Sequence, residues 1–130
     1  MEKPLIGKNG PKNLFKSFAA AFRGLKDLLQ REPVFKYFVA AFIAVIAAVL
    51  YFQPTRAESA VLIFVAIAVL ALELVNSLFE RMLDIVQPNR DERVRHIKDI
   101  MAGLVLLASI GAVIIGFIIL LPYFRALWGN

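Results

Sequence analysis

Glu73, Asn76, Glu80 and Asp84 stand in one of the most apolar stretches of the chain, where Ala60 to Leu72 is wholly Ala, Val, Leu, Ile and Phe. At about 100° of helix rotation per residue, the four side chains fall within about 80° of one another and line one stripe. Two such carboxylates, together with phosphate oxygens, suit the hard, oxygen-seeking Mg²⁺ ion. A third carboxylate held deeper, with its pKa raised by apolar surroundings, suits a general base that takes a hydroxyl proton. An ionisable side chain at bilayer depth costs about 3 kcal/mol or more and by default marks a binding or transport site. Stability does not explain this stripe.

The elements that carry it follow from hydropathy. Hydrophobic residues make up 60% of 130 positions and the mean hydropathy is +0.72, above globular usage, so an all-α membrane protein of one domain is expected. Residues 34–52 are apolar apart from Lys36, and Gln53-Pro54 ends the run. A second helix is predicted over 59–86, stopped by Gln87-Pro88-Asn89, and a third span over 99–121, ended at Leu121-Pro122 with Tyr123, Phe124 and Trp128 at the interface. Ahead of the spans, over residues 12–29, Leu14, Phe15, Phe18, Phe22, Leu25 and Leu29 recur at helical spacing. Lys12, Lys16, Arg23 and Lys26 lie largely off that stripe, the pattern of an amphipathic helix on a membrane surface. No signal-peptide pattern opens the chain, so the first span is expected to act as an uncleaved anchor.

Several chemistries are excluded or set aside. Cysteine is absent, which removes disulfides, thiolate catalysis and thiolate-bound metal. The net charge of +5 comes mostly from residues flanking apolar segments, where anionic headgroups rather than nucleic acid are the expected partner. His96 has no spaced partner and is an interfacial loop residue. Neither Gly-x-x-x-x-Gly-Lys-Ser/Thr nor Gly-x-Gly-x-x-Gly occurs, which argues against a soluble kinase ancestry and leaves a kinase built on membrane helices open.

Eight basic residues precede or begin the first span, and Arg81, Arg90, Arg93, Arg95 and Lys98 surround the second connection. The first connection has only Arg56, and the C-terminal tail only Arg125. The N-terminus and the second connection are therefore expected on the cytoplasmic side of the membrane. Glu32, Glu80, Asp84, Lys98 and Asp99 then meet at the nucleotide-containing face, with Glu73 about 10 Å deeper. There a lipid hydroxyl can meet a water-soluble phosphoryl donor, and transfer needs positioning, charge neutralisation and a proton acceptor. A lysine at a helix start would add its charge to exposed backbone N–H groups, a fit for phosphate.

Glu73-x-x-Asn76-Ser77-x-x-Glu80-x-x-x-Asp84, followed by Lys98-Asp99, with Gly24-Leu25 and Glu32 ahead of the first span, resembles the prokaryotic integral-membrane diacylglycerol kinases and their undecaprenol kinase relatives. The resemblance covers almost the whole chain. It implies a homotrimer with sites shared between subunits, a surface helix plus three spans, and MgATP-dependent phosphorylation of a membrane lipid alcohol, diacylglycerol first and undecaprenol as the alternative. By the same resemblance Glu73 is the catalytic base and Glu32 and Glu80 hold the divalent metal with ATP. Asn76, Lys98 and Asp99 belong to the nucleotide and catalytic site. Ala20 stands where a familiar member has tyrosine, Phe38 replaces an acid, and Asn89-Arg90-Asp91 replaces a Glu-Tyr-His loop.

Other readings of the same residues compete. Glu73 and Asn76 could be an interhelical hydrogen-bonding pair, and Glu80 and Asp84 a solvated face. Lys98-Asp99 could simply open a helix. Gly103, Ser109, Gly111 and Gly116 are small residues that allow close helix approach, a packing signal. A small proton-coupled transporter subunit would explain Glu73 but not Glu32 or Lys98-Asp99, and an idle family member acting as a scaffold is a third possibility.

Overall fold

The second long helix starts where it does because Thr55 caps it. In the computed structural model, which describes residues 11–129 with side chains from Leu14 onward, Thr55 Oγ1 accepts from the Glu58 amide at 3.3 Å. Glu58 Oε2 in turn accepts from the Thr55 amide at 2.9 Å and its hydroxyl at 2.8 Å. This reciprocal capping box satisfies backbone donors that a helix start otherwise leaves orphaned. Four helices result: α1 (Pro11–Arg31), α2 (Pro33–Phe52), α3 (Arg56–Val86) and α4 (Glu92–Trp128).

Two units divide the chain, Met1–Pro33 and Val34–Asn130. In the first, α1 presents Phe15, Phe18 and Phe22 as exposed side chains along one face, and Arg31 pairs with Asp27 one turn back. The side chain of Lys12, assigned to the polar face of this helix, lies outside the described residues.

The second unit holds three helices long and apolar enough to cross a membrane. Proline suits the first position of α2, where an N–H would find no partner. The helix ends at Gln53, whose positive φ of 48° turns the chain at a cost of about 1 kcal/mol for a residue other than glycine, and Pro54 prevents continuation. Gln87 closes α3 by donating its amide to Leu83 O at 2.8 Å before Pro88.

α4 is longer than its apolar segment at both ends. It begins at Glu92 rather than near Asp99, because Asp91 caps it: the Asp91 carboxylate accepts from the Arg93 amide at 2.8 Å. It also continues through Pro122 to Trp128 instead of stopping there. Proline removes one backbone donor, yet the two residues that follow are held from outside the helix. Tyr123 donates to Glu58, and Phe124 packs edge-on against Phe52 with ring centroids 4.6 Å apart.

α3 and α4 pack along each other. Buried on α3 are Leu62, Val69, Glu73, Asn76 and Ser77, with Val105 on α4 and Phe35 on α2. The outward faces are apolar, carrying Phe64, Leu107, Val113, Phe117 and Ile118 exposed. Polar groups buried within and a wholly apolar outward face is the arrangement that a hydrocarbon surrounding permits and water does not.

Candidate active site

α3 buries its polar stripe. Leu62, Val69, Glu73, Asn76 and Ser77 are the residues that its inward face covers, so the lower half of a membrane-type core is made of a carboxyl, an amide and a hydroxyl. Glu73 is only 5% exposed and Asn76 7%. Asn76 Nδ2 donates to Glu80 Oε1 at 3.3 Å, one turn further on. Asn76 Oδ1 is buried without a hydrogen-bond partner among the described residues. A buried acceptor left unmade costs about 1–3 kcal/mol, and a leucine would avoid it. The oxygen is available to a donor or a cation that the described residues do not supply.

Past Glu80 the stripe reaches Asp84, and here α4 joins it. Lys98 Nζ lies 2.5 Å from Asp84 Oδ1, an ion pair between helices. The reading that put Lys98 at a helix start is corrected by the Asp91 cap. Lys98 sits beyond the first turn of α4, where its own helix satisfies the backbone N–H groups, so its ammonium acts without their help. Asp99 follows it as an exposed residue. Glu32 closes the first unit between α1 and α2, its amide donating to Leu28 O at 2.8 Å.

Between the end of α3 and the start of α4 opens a cavity of about 450 Å³, large enough for a polyphosphate or a nucleoside. Asp84 and Lys98 form part of its wall, with Asn89, Arg90, Asp91 and Arg95. The Asp91 carboxyl is held below the ordinary aspartate range, first by the hydrogen bond from the Arg93 side chain and then by the Arg93 amide. The structure thus brings the buried Glu73 and Asn76 and the half-buried Glu80 onto one stripe and sets Lys98 one turn past it through Asp84. Asp84 was legible as part of the stripe; its partner was not, because the pair spans two helices 14 residues apart.

The donor set can be tested against Mg²⁺. Glu80 offers a hard carboxylate, toward which Asn76 turns its Nδ2 while its Oδ1 stays buried, and the described residues contain no group of three or more His, Cys, Asp or Glu that could hold an ion alone. Such a set fits an ion that keeps phosphate oxygens in its shell and does not fit a protein-caged metal.

Residues 19–120 match the family profile described as prokaryotic diacylglycerol kinase. The chain belongs to this family. The matched span contains Glu32, Glu73, Asn76, Glu80, Asp84, Lys98 and Asp99, so every candidate site residue lies within it. Among curated members of the prokaryotic diacylglycerol kinase family and its relatives, the chain is 35% identical over 111 residues to a diacylglycerol kinase of Synechocystis sp.. That alignment covers 85% of this chain and 63% of the Synechocystis protein, so the chain spans just under two thirds of that relative's length. It is 28% identical over 115 residues to an undecaprenol kinase of Bacillus subtilis, covering 88% of this chain and 94% of that one.

Proposed function

We propose that this chain is an ATP-dependent lipid kinase of the bacterial cell membrane that transfers the γ-phosphate to the terminal hydroxyl of a membrane lipid. Family membership supports a kinase; the observation that carries the site is the Glu73–Asn76–Glu80 stripe, buried at Glu73 and Asn76, with the Asn76 oxygen unpartnered among the described residues. Glu73 accepts the hydroxyl proton as the lipid oxygen bonds to the γ-phosphorus. The bond from that phosphorus to the β–γ bridging oxygen breaks, and ADP leaves with the electron pair. The burial of Glu73 limits the access of competing water to the transferring group.

Glu80 would hold Mg²⁺ together with ATP, a role that the resemblance also gives to Glu32, and Asn76 meets Glu80 through its Nδ2. When bound, the ion neutralises phosphate charge. Lys98 donates to phosphate oxygens, and Asp99, exposed beside it and outside the cavity lining, is assigned to the nucleotide by the resemblance alone. We place α1 on the membrane surface, and the N-terminus and the α3–α4 connection on the cytoplasmic side, on the strength of the basic residues there. We assign a homotrimer with shared sites, since three spans with so thin a core leave Glu80 half-buried and Asp84 exposed and cannot by themselves surround the polar groups.

Diacylglycerol, giving phosphatidic acid, is the first substrate proposed, and undecaprenol the second. The second is favoured by the Bacillus subtilis relative, whose length this chain nearly matches. Purified protein given labelled ATP, Mg²⁺ and each lipid in turn tests both. Phosphorylated diacylglycerol is expected. Product from undecaprenol alone moves the assignment to the second lipid, and no product from either, under conditions where ATP leaves thermal unfolding unchanged, refutes the kinase and reopens the transporter.

A further inference from the structure

The ion pair between Lys98 and Asp84 has a purpose that the proposed reaction leaves unexplained. Arg31–Asp27 and Arg95–Glu92 join neighbouring turns of single helices, whereas Lys98–Asp84 ties α4 to α3. The Asp84 side chain is 65% exposed and that of Lys98 30%, so the carboxylate faces water and the ammonium lies further in. A pair this exposed adds little to stability. Its consequence is where the charge is held.

A lysine ammonium has three N–H donors at the end of a flexible four-carbon stem. Asp84 takes one donor and fixes the stem, which leaves two to face the cavity that both residues line. Asp84 also stands four residues past Glu80 on the same face of α3, about 6 Å along the helix. The ammonium is therefore stationed one turn from the carboxylate assigned to the metal. Because Asp84 brings a negative charge with it, the gain is in orientation and not in net attraction for phosphate.

We propose that Asp84 is a positioning residue of the nucleotide site, holding the Lys98 ammonium at the cavity so that its remaining donors meet the phosphate oxygens of a nucleoside triphosphate. This rests on the lipid-kinase reading above. A lysine aimed beforehand loses less freedom when the nucleotide arrives, so removing Asp84 weakens nucleotide binding more than it slows the chemical step. An Asp84 that instead sequestered Lys98 from the nucleotide would produce the opposite change.

The test uses the full chain in detergent with lipid alcohol and MgATP. Asp84→Asn keeps the shape and removes the charge. It is expected to raise KM for ATP about tenfold, with KM for lipid unchanged and kcat within about threefold of the parent, and Asp84→Glu is expected to restore most of the loss. The second arm follows the thermal stabilisation given by MgATP. Lys98→Ala should reduce it, and adding Asp84→Asn to Lys98→Ala should reduce it no further, because the residue acted through the lysine. Overturning results are an unchanged or lowered KM for ATP in Asp84→Asn, or the same loss of MgATP stabilisation in both backgrounds. A parent protein that is stabilised by MgATP but phosphorylates no lipid refutes the reaction while the coupling of the two residues is still decided by the second arm. A parent with neither response refutes both.

Discussion

At one end of the α3–α4 pair Glu58 accepts from the Thr55 amide, the Thr55 hydroxyl and, at 2.6 Å, the Tyr123 hydroxyl. Phe52 packs there against Tyr123 and Phe124. At the other end lie a buried amide oxygen without a partner, an exposed ion pair and an open cavity. Both ends use a carboxylate near the boundary of an apolar helix, with opposite results. Glu58 is saturated by its own chain and closes the fold. Within the stripe from Glu73 to Asp84 the Asn76 oxygen has no partner among the described residues, which is how a helix is built when a ligand completes it.

The contrast can be broken in order of effect. Glu73→Gln should lower kcat by about a hundredfold or more with little change in MgATP binding, as for loss of a general base, whereas Glu80→Gln should lose MgATP stabilisation in a thermal unfolding assay. Near-parent turnover in both would defeat that division of roles. Asn76→Leu should come next: activity is lost while thermal stability rises, by about 1 kcal/mol, because the orphaned acceptor disappears and only one long hydrogen bond to Glu80 goes with it. A destabilised Asn76→Leu would show that the amide serves packing.

The opposite end should respond in reverse. Thr55→Ala removes the α3 cap and should cost about 1 kcal/mol of stability, and Tyr123→Phe should lower the unfolding temperature as well, with KM for ATP unchanged in both. A change in KM would mean that the two ends communicate. The smallest effect expected is at Asp91. Its folded pKa is depressed, so its stabilising contribution is complete above the ordinary value of 3.8 and fades as pH falls through the lower folded value. The difference in unfolding temperature between the parent and Asp91→Asn should therefore shrink as the sample is acidified and stay level at neutral pH.

Much of this was readable from composition. The α3 stripe followed from spacing alone, since a helix places residues three and four apart on one face whatever its surroundings, and the carboxylates in an apolar run marked that face as functional. The break at Gln53-Pro54 and the stop at Gln87-Pro88 likewise needed only local chemistry. The ends of α4 were not legible. An apolar window finds the part of a helix that faces lipid and is blind to the polar turns from Glu92 to Lys98. A proline reads as a stop unless Tyr123 and Phe124 are known to be anchored on Glu58 and Phe52. That Asp84 meets Lys98 was equally hidden, because it depends on how α3 and α4 pack.

Residue order alone therefore settled the apolar segments, the polar stripe and the oxygen-only donor chemistry, all of which arise from hydropathy and helical period. Only the packed helices decided which of those groups are buried, which oxygen lacks a partner and which acid holds the lysine. Those properties depend on distances between side chains far apart in the chain, and no periodicity within a single helix encodes them.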